Sequence, residues 1–272
     1  MSLQVRVGIL IALSVIAAGV MLAVPPLAQP LWYHDFADQR CFCGIPHTLN
    51  VVSNLPFVIV GLWGTLWLLC VRRPAGFHDS RERWPYVVFF VCIALTGVGS
   101  AYYHADPNND RLLWDRLPLA MAFMALLAII IAERIDHCAG MILLVPLVAL
   151  GAGSVVYWHW TETIDQGDLR LYLFVQFYPL LVLPLILVLF RPRYTRTGDL
   201  IGALAWYVVA KVLEILDRQV YAQGQIVSGH TLKHVVAAVS PLLVLLMICK
   251  RRPIDSGTQD APLEIPAPPS VH

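Results

Sequence analysis

Eight apolar runs, separated by short polar segments, follow one another along the chain at roughly 7–24, 49–71, 85–104, 112–132, 139–158, 171–190, 200–221 and 230–249. An α-helix needs about 20 residues to cross the hydrocarbon of a bilayer, so each run predicts one spanning helix. A membrane β-barrel would instead show ten-residue stretches of alternating apolar and polar positions, and none of these runs alternates. The fold class is therefore an all-α, polytopic transmembrane helix bundle of eight helices. The first run stops at Pro25-Pro26. It is long for a signal peptide, and no small-residue cleavage pattern stands out before Trp32, so it is read as a retained helix. Residues 1–252 form the membrane domain. Residues 253–272, rich in proline and scattered polar groups, are expected to be a disordered tail.

Composition agrees with the pattern. Of 272 residues, 58% are hydrophobic and only 14% charged, too few charges for a water-soluble domain of this size. A net charge of +1 argues against nucleic acid as a partner. Cys70, Cys92 and Cys249 lie in the apolar runs and Cys138 at the edge of one, where a thiol behaves as a small hydrophobe. Cys41 and Cys43 share a loop, either as a redox or metal-linked pair or as two unrelated thiols.

Basic residues set the orientation. Arg72, Arg73, Arg81 and Arg83 follow the second run, Arg191, Arg193 and Arg196 the sixth, and Lys250, Arg251 and Arg252 the eighth. The opposite loops hold only Arg40, Arg111, Arg170 and Arg218 near their helix ends. The positive-inside rule then places both termini in the cytoplasm. It also places the ends that carry His104, Asp115 and His230 toward the outer face.

Ionisable groups inside apolar helices are costly unless paired, which makes each of them a candidate for function. His230 and His234 lie four apart on one helix face and so present two imidazoles to one cation. With His104 they make three neutral nitrogen donors, and three protein ligands plus an open position is the arrangement of a catalytic zinc. Asp115, among Leu113, Trp114 and Leu117, needs a cation or strong donor nearby if it is ionised. It is read as the carboxylate of a catalytic centre, with a plain ion pair to Arg116 as the alternative. Ser100, one turn before His104, either serves that centre or bonds a carbonyl one turn back. Asn50, Ser53 and Asn54 form a polar stripe that suits interhelical bonding. Lys211, Glu214 and Asp217 form another, with Lys211 and Glu214 spaced to pair. Trp32, Tyr33, Trp158 and Trp160 fit an aromatic belt at the outer interface.

These residues carry a resemblance. Asn50 to Leu55, Gly99-Ser100 to His104, Trp114-Asp115-Arg116-Leu117-Pro118 and Gly229-His230-Thr231-Leu232-Lys233-His234 resemble, in order, the motif set of the alkaline ceramidases. The same set marks the wider superfamily that includes the adiponectin and progestin receptors. The similarity runs over about residues 45–250. It implies a seven-helix hydrolase-type core with one extra N-terminal helix, a zinc held by His104, His230 and His234, and Ser100 and Asp115 beside it. The implied activity is hydrolysis of a membrane lipid amide, ceramide or a related N-acyl lipid, to a fatty acid and an amine. An ester-lipid hydrolase, or a non-enzymatic receptor or structural protein with a closed structural zinc, are the other readings. Ceramidases also hold a calcium, with a glutamate three residues ahead of the Asn-x-x-Ser-Asn motif. His47 stands there in this chain. Asp35 and Asp38 remain as donors, but calcium takes six to eight oxygens, and an imidazole substitutes poorly.

Overall fold

Polar caps mark where the apolar runs become helices. Side chains of Ser2, Asn108, Asp136 and Ser228 accept hydrogen bonds from backbone N–H groups of the first turn they precede, at Val5, Arg111, Ala139 and Thr231, which satisfies donors that no helical carbonyl can reach. The computed structural model describes residues 1–71 and 76–254. Its helices are α1 Leu3–Ala23, α2 Thr48–Val52, α3 Leu55–Cys70, α4 Arg83–Ala105, α5 Asn109–Arg134, α6 His137–Thr163, α7 Arg170–Leu189, α8 Thr197–Ile215, α9 Asp217–Ala222 and α10 Gly229–Lys250. They make up the eight expected long helical segments. Arg72, Arg73 and the expected tail from residue 255 lie outside the described residues. Pro253 and Ile254, expected to begin that tail, instead pair with the chain at Tyr194 and Arg193.

Two segments break where the apolar pattern predicts continuous helices. α2 and α3 meet at Ser53 and Asn54, whose side chains both donate to the Asn50 carbonyl, at 3.1 and 2.8 Å. That competes with the helical ladder, and Pro56 has no N–H to offer it. α8 ends at Ile215, just before Asp217. The Asp217 carboxylate accepts from the backbone N–H groups of Ala37 and His230, at 2.9 and 2.7 Å.

Seven helices among the described residues, counting α2 and α3 as one, are long and apolar enough to cross a membrane, and the protein is an integral membrane protein. α8 carries Asp199, Lys211 and Glu214, more charge than a plain span tolerates, and keeps the last two beside an internal cavity. Pairwise packing closes α3, α4, α5, α7, α8 and α10 into a ring around that cavity, with α6 outside α5 and α7. α1 packs on the outer side of α7 and is mostly exposed, whereas most of α5 is buried. The ends of α4 and α8 and the starts of α5 and α10 share one end of the bundle. Residues 24–47 cross that end as a strap, bonded to Leu169 by the Leu27 carbonyl and to Asn109 and Tyr103 by His34.

Candidate metal centre and lipid cavity

α10 supplies two histidines because their one-turn spacing holds on a regular helix, and the last turn of α4 supplies the third. His104, His230 and His234 are all buried, and their ligand atoms lie within 4.8 Å of one another. Their ring centroids form a near-equilateral triangle of 4.8, 4.9 and 4.9 Å. Among the described residues no carboxylate or thiol joins them.

The donor set can be tested for zinc. Zn–N bonds of about 2.05 Å at the tetrahedral angle separate two nitrogens by about 3.3 Å. The Nε2 atoms of His104 and His230 are 3.2 Å apart. His234 Nδ1 is 2.8 Å from Ser53 Oγ. Because that hydroxyl donates to the Asn50 carbonyl, it accepts from Nδ1–H, which leaves the Nε2 lone pair of His234 free. The three nitrogens therefore fit a small cation that favours imidazole. Phe36 of the strap closes over them, its ring 4.7 Å from that of His104 and 4.4 Å from that of His230.

Ser100 and Asp115 lie beside the triad and face the cavity together with His234. The Ser100 hydroxyl neighbours the Asp115 carboxylate. They meet because Gly99 brings α4 against the α5 backbone: a Cβ at Gly99 would overlap the Trp114 carbonyl. No ion pair within 4 Å joins Asp115 to Arg116. Arg116 turns instead into a box formed by Tyr33, Trp158 and Tyr172, 4.4–5.2 Å from the three ring centroids, where cation–π attraction holds it. Two of the four aromatic residues expected in the belt are thus interior. Trp158 is fully buried, and Tyr33 lines the cavity, whereas Trp32 and Trp160 are exposed.

From this polar end the cavity runs between the ring helices. On α5 it is lined from Asp115 to Ile130, a stretch that spans about 22 Å at the rise of an α-helix. Beyond the polar end its walls are mostly Leu, Ile, Val, Ala and Phe. Half the hydrocarbon thickness of a bilayer is about 15 Å, so the slot is deep enough for an extended acyl chain of leaflet length.

Several groups at this end were not separable as site residues in the sequence. Glu214 pairs with Lys211 on its own helix, as the spacing predicts, and also with Lys233 of α10 at 2.7 Å. All three line the cavity. Ser53 holds His234, and Asp217 holds the backbone of His230. The two calcium candidates do not come together. Asp35 is engaged by Arg218 at 2.6 Å, and the Arg40 guanidinium bonds both oxygens of Asp38, at 2.8 and 2.7 Å. The same bonds hold the Asp38 carboxyl below the usual carboxylate range. With both acids committed to arginines, the residues present do not fit a calcium. Cys41 and Cys43 are both free thiols on the surface.

The family model described as Ceramidase matches residues 44–260, from just before α2 to beyond α10, and leaves α1 outside. No curated protein and no solved structure matches the chain.

Proposed function

The chain belongs to the ceramidase family, and from that premise we propose that it is a zinc-dependent intramembrane hydrolase of lipid amides, cutting ceramide or a related N-acyl lipid into a fatty acid and an amine. The observation that carries the reading is the triad's 3.2 Å nitrogen edge set at the polar end of a deep apolar slot that Ser100 and Asp115 also line. His104, His230 and His234 would hold the zinc, which when bound polarises the amide carbonyl and lowers the pKa of a water toward 7. Asp115 is the general base that takes the proton of the attacking water and returns it to the leaving amine nitrogen. Its freedom from Arg116 supports that role, because a carboxylate locked in an ion pair is a poor base. Ser100 donates to the carbonyl oxygen as charge develops there, help worth about 2.7–4 kcal/mol per donor in other hydrolases. The acyl chain lies in the slot, which it reaches sideways from the bilayer. By the distribution of basic residues, both termini are cytoplasmic and the histidine end faces outward.

The test combines metal analysis of purified protein with hydrolysis of N-acyl lipids. Wild type should carry about one zinc per chain, and His230→Ala or His234→Ala should lose it. Asp115→Asn should keep the zinc while turnover falls by about 10²–10⁴, the usual cost of losing acid–base catalysis. Unchanged metal content in both histidine variants would remove the centre. Wild-type turnover in Asp115→Asn would remove the base.

A further inference from the structure

A second hollow opens at the histidine end, outside the helix ring. It lies between the strap turn Leu31–His34 and the α8–α9 junction, and His230 and Phe36 form its inner wall. Tyr33, Lys211 and Glu214 line both this groove and the internal slot, so the two spaces share one partition. The triad straddles that partition, with His234 on the slot side and His230 on the groove side. A lipid amide lying across the triad with its acyl chain in the slot therefore sends its amine side toward the groove.

The hydrogen-bonding inventory of the groove is lopsided. Each of its three carboxylates already accepts at both oxygens. Asp35 accepts from Gln39 and Arg218, Asp217 from the backbone of Ala37 and His230, and Glu214 from Lys211 and Lys233. The donors are underused. The Lys211 ammonium, with three N–H groups, bonds only Glu214 among the described residues, and a single nitrogen of the Arg218 guanidinium is engaged. Gln219 and the exposed Trp32 add further N–H groups. Formal charge on the groove residues alone is slightly negative, but Lys233 evens it, and a divalent metal held by the triad would make this end positive.

We infer that the groove is a separate head-group subsite, and that through Arg218 and the spare Lys211 donors it takes an oxyanion, phosphate or carboxylate, on the amine side of the lipid. This rests on the hydrolase reading for the position of the amide, but not for the binding itself. A neutral amine side would leave these donors to water, while an ammonium would have to share carboxylates already engaged by Arg218, Lys211, Lys233 and backbone N–H groups.

The test uses the full-length protein in detergent with two readouts. In the first, N-acyl lipids of one chain length whose amine side ends in hydroxyl, carboxylate or phosphate are compared as substrates. In the second, non-cleavable N-alkyl analogues with the same three ends are compared by the rise in melting temperature they cause. The subsite predicts a KM about tenfold lower for an oxyanionic end than for hydroxyl, the scale of one charge-assisted hydrogen bond, and a larger thermal shift in the same order. Arg218→Gln, on an exposed side chain that should not compromise folding, should shrink both differences. Equal KM values for the three ends, or a preference unchanged in Arg218→Gln, would overturn the subsite. Absence of any hydrolysis would instead count against the hydrolase reading, and the thermal shifts would still decide the groove. Carboxylate and phosphate arms that differ identify which oxyanion is preferred.

Discussion

Removing the Ser53 hydroxyl should weaken the metal centre without touching a ligand. In the native arrangement His234 Nδ1–H donates to Ser53 Oγ over 2.8 Å, and Ser53 donates onward to the Asn50 carbonyl over 3.1 Å. The chain of bonds fixes the tautomer of His234 and the plane of its ring. Loss of such a partner typically lowers metal affinity 10–100-fold. The lower end is expected for Ser53→Ala, because the Asn50 carbonyl already lies close enough to interact with His234 and can take over part of the bond. The predicted change is therefore about tenfold in zinc dissociation constant, or ~1.4 kcal/mol, measured by competition with a chelator at fixed pH. Ser154→Ala is the matched control, since that buried hydroxyl bonds only the Gly151 carbonyl of its own helix. Affinity unchanged in Ser53→Ala would refute the orienting role. A loss as deep as that of His234→Ala would also refute it, because the hydroxyl would then be part of the coordination itself.

Gly99→Ala should push α4 from α5 at the Trp114 carbonyl. Overpacking typically costs about 1–3 kcal/mol, but the displacement falls between Ser100 and Asp115, so turnover should fall about 10²-fold or more. Gly153→Ala, where nothing lies within 4 Å, should leave both turnover and melting temperature intact, and equal effects at the two glycines would refute the close-approach argument. At the opposite end, Arg251 bonds Glu133 at 2.5 Å and both are buried. Arg251→Met should cost about 3–5 kcal/mol of stability by stranding that carboxylate, with much of the loss recovered in Arg251→Met/Glu133→Gln; a double variant as unstable as the single one contradicts it. Finally, Asn108→Cys in a background free of the native thiols should react with an impermeant reagent applied outside intact cells. Protection there, with labelling only after lysis, would reverse the proposed orientation.

The parts of this protein that a sequence shows are those governed by one helix at a time. The eight apolar runs and the one-turn spacing of His230 and His234 depend only on helical period, and both reappear in the structure. Arg116 shows where that reasoning stops. Its sequence neighbour Asp115 offers an ion pair as the alternative reading, but the guanidinium is taken by aromatic residues from the strap, α6 and α7, three elements with no local signature of their meeting. Trp158 went unrecognised as part of that box for the same reason: a tryptophan near a helix end reads as an interface residue until its neighbours are known. Lys233 and Glu214, nineteen residues apart, and Ser53 with His234, 181 apart, are likewise products of packing. The helix break at Ser53 arises where side chains compete for a backbone carbonyl, and the one after Ile215 precedes an Asp217 that bonds distant backbone N–H groups; an apolar pattern records neither.

The triad joins the fourth helix of the chain to its tenth, across 126 residues of sequence. During synthesis, a nascent chain whose last helix has not yet entered the membrane holds one histidine of the three and cannot assemble the centre. The same helix supplies Lys233 to Glu214, and the residue after its end, Arg251, locks to Glu133 of α5. On the proposed function, competence to cut lipid would thus arrive with the final insertion event, and the chain would stay inert toward the membrane that is still receiving it.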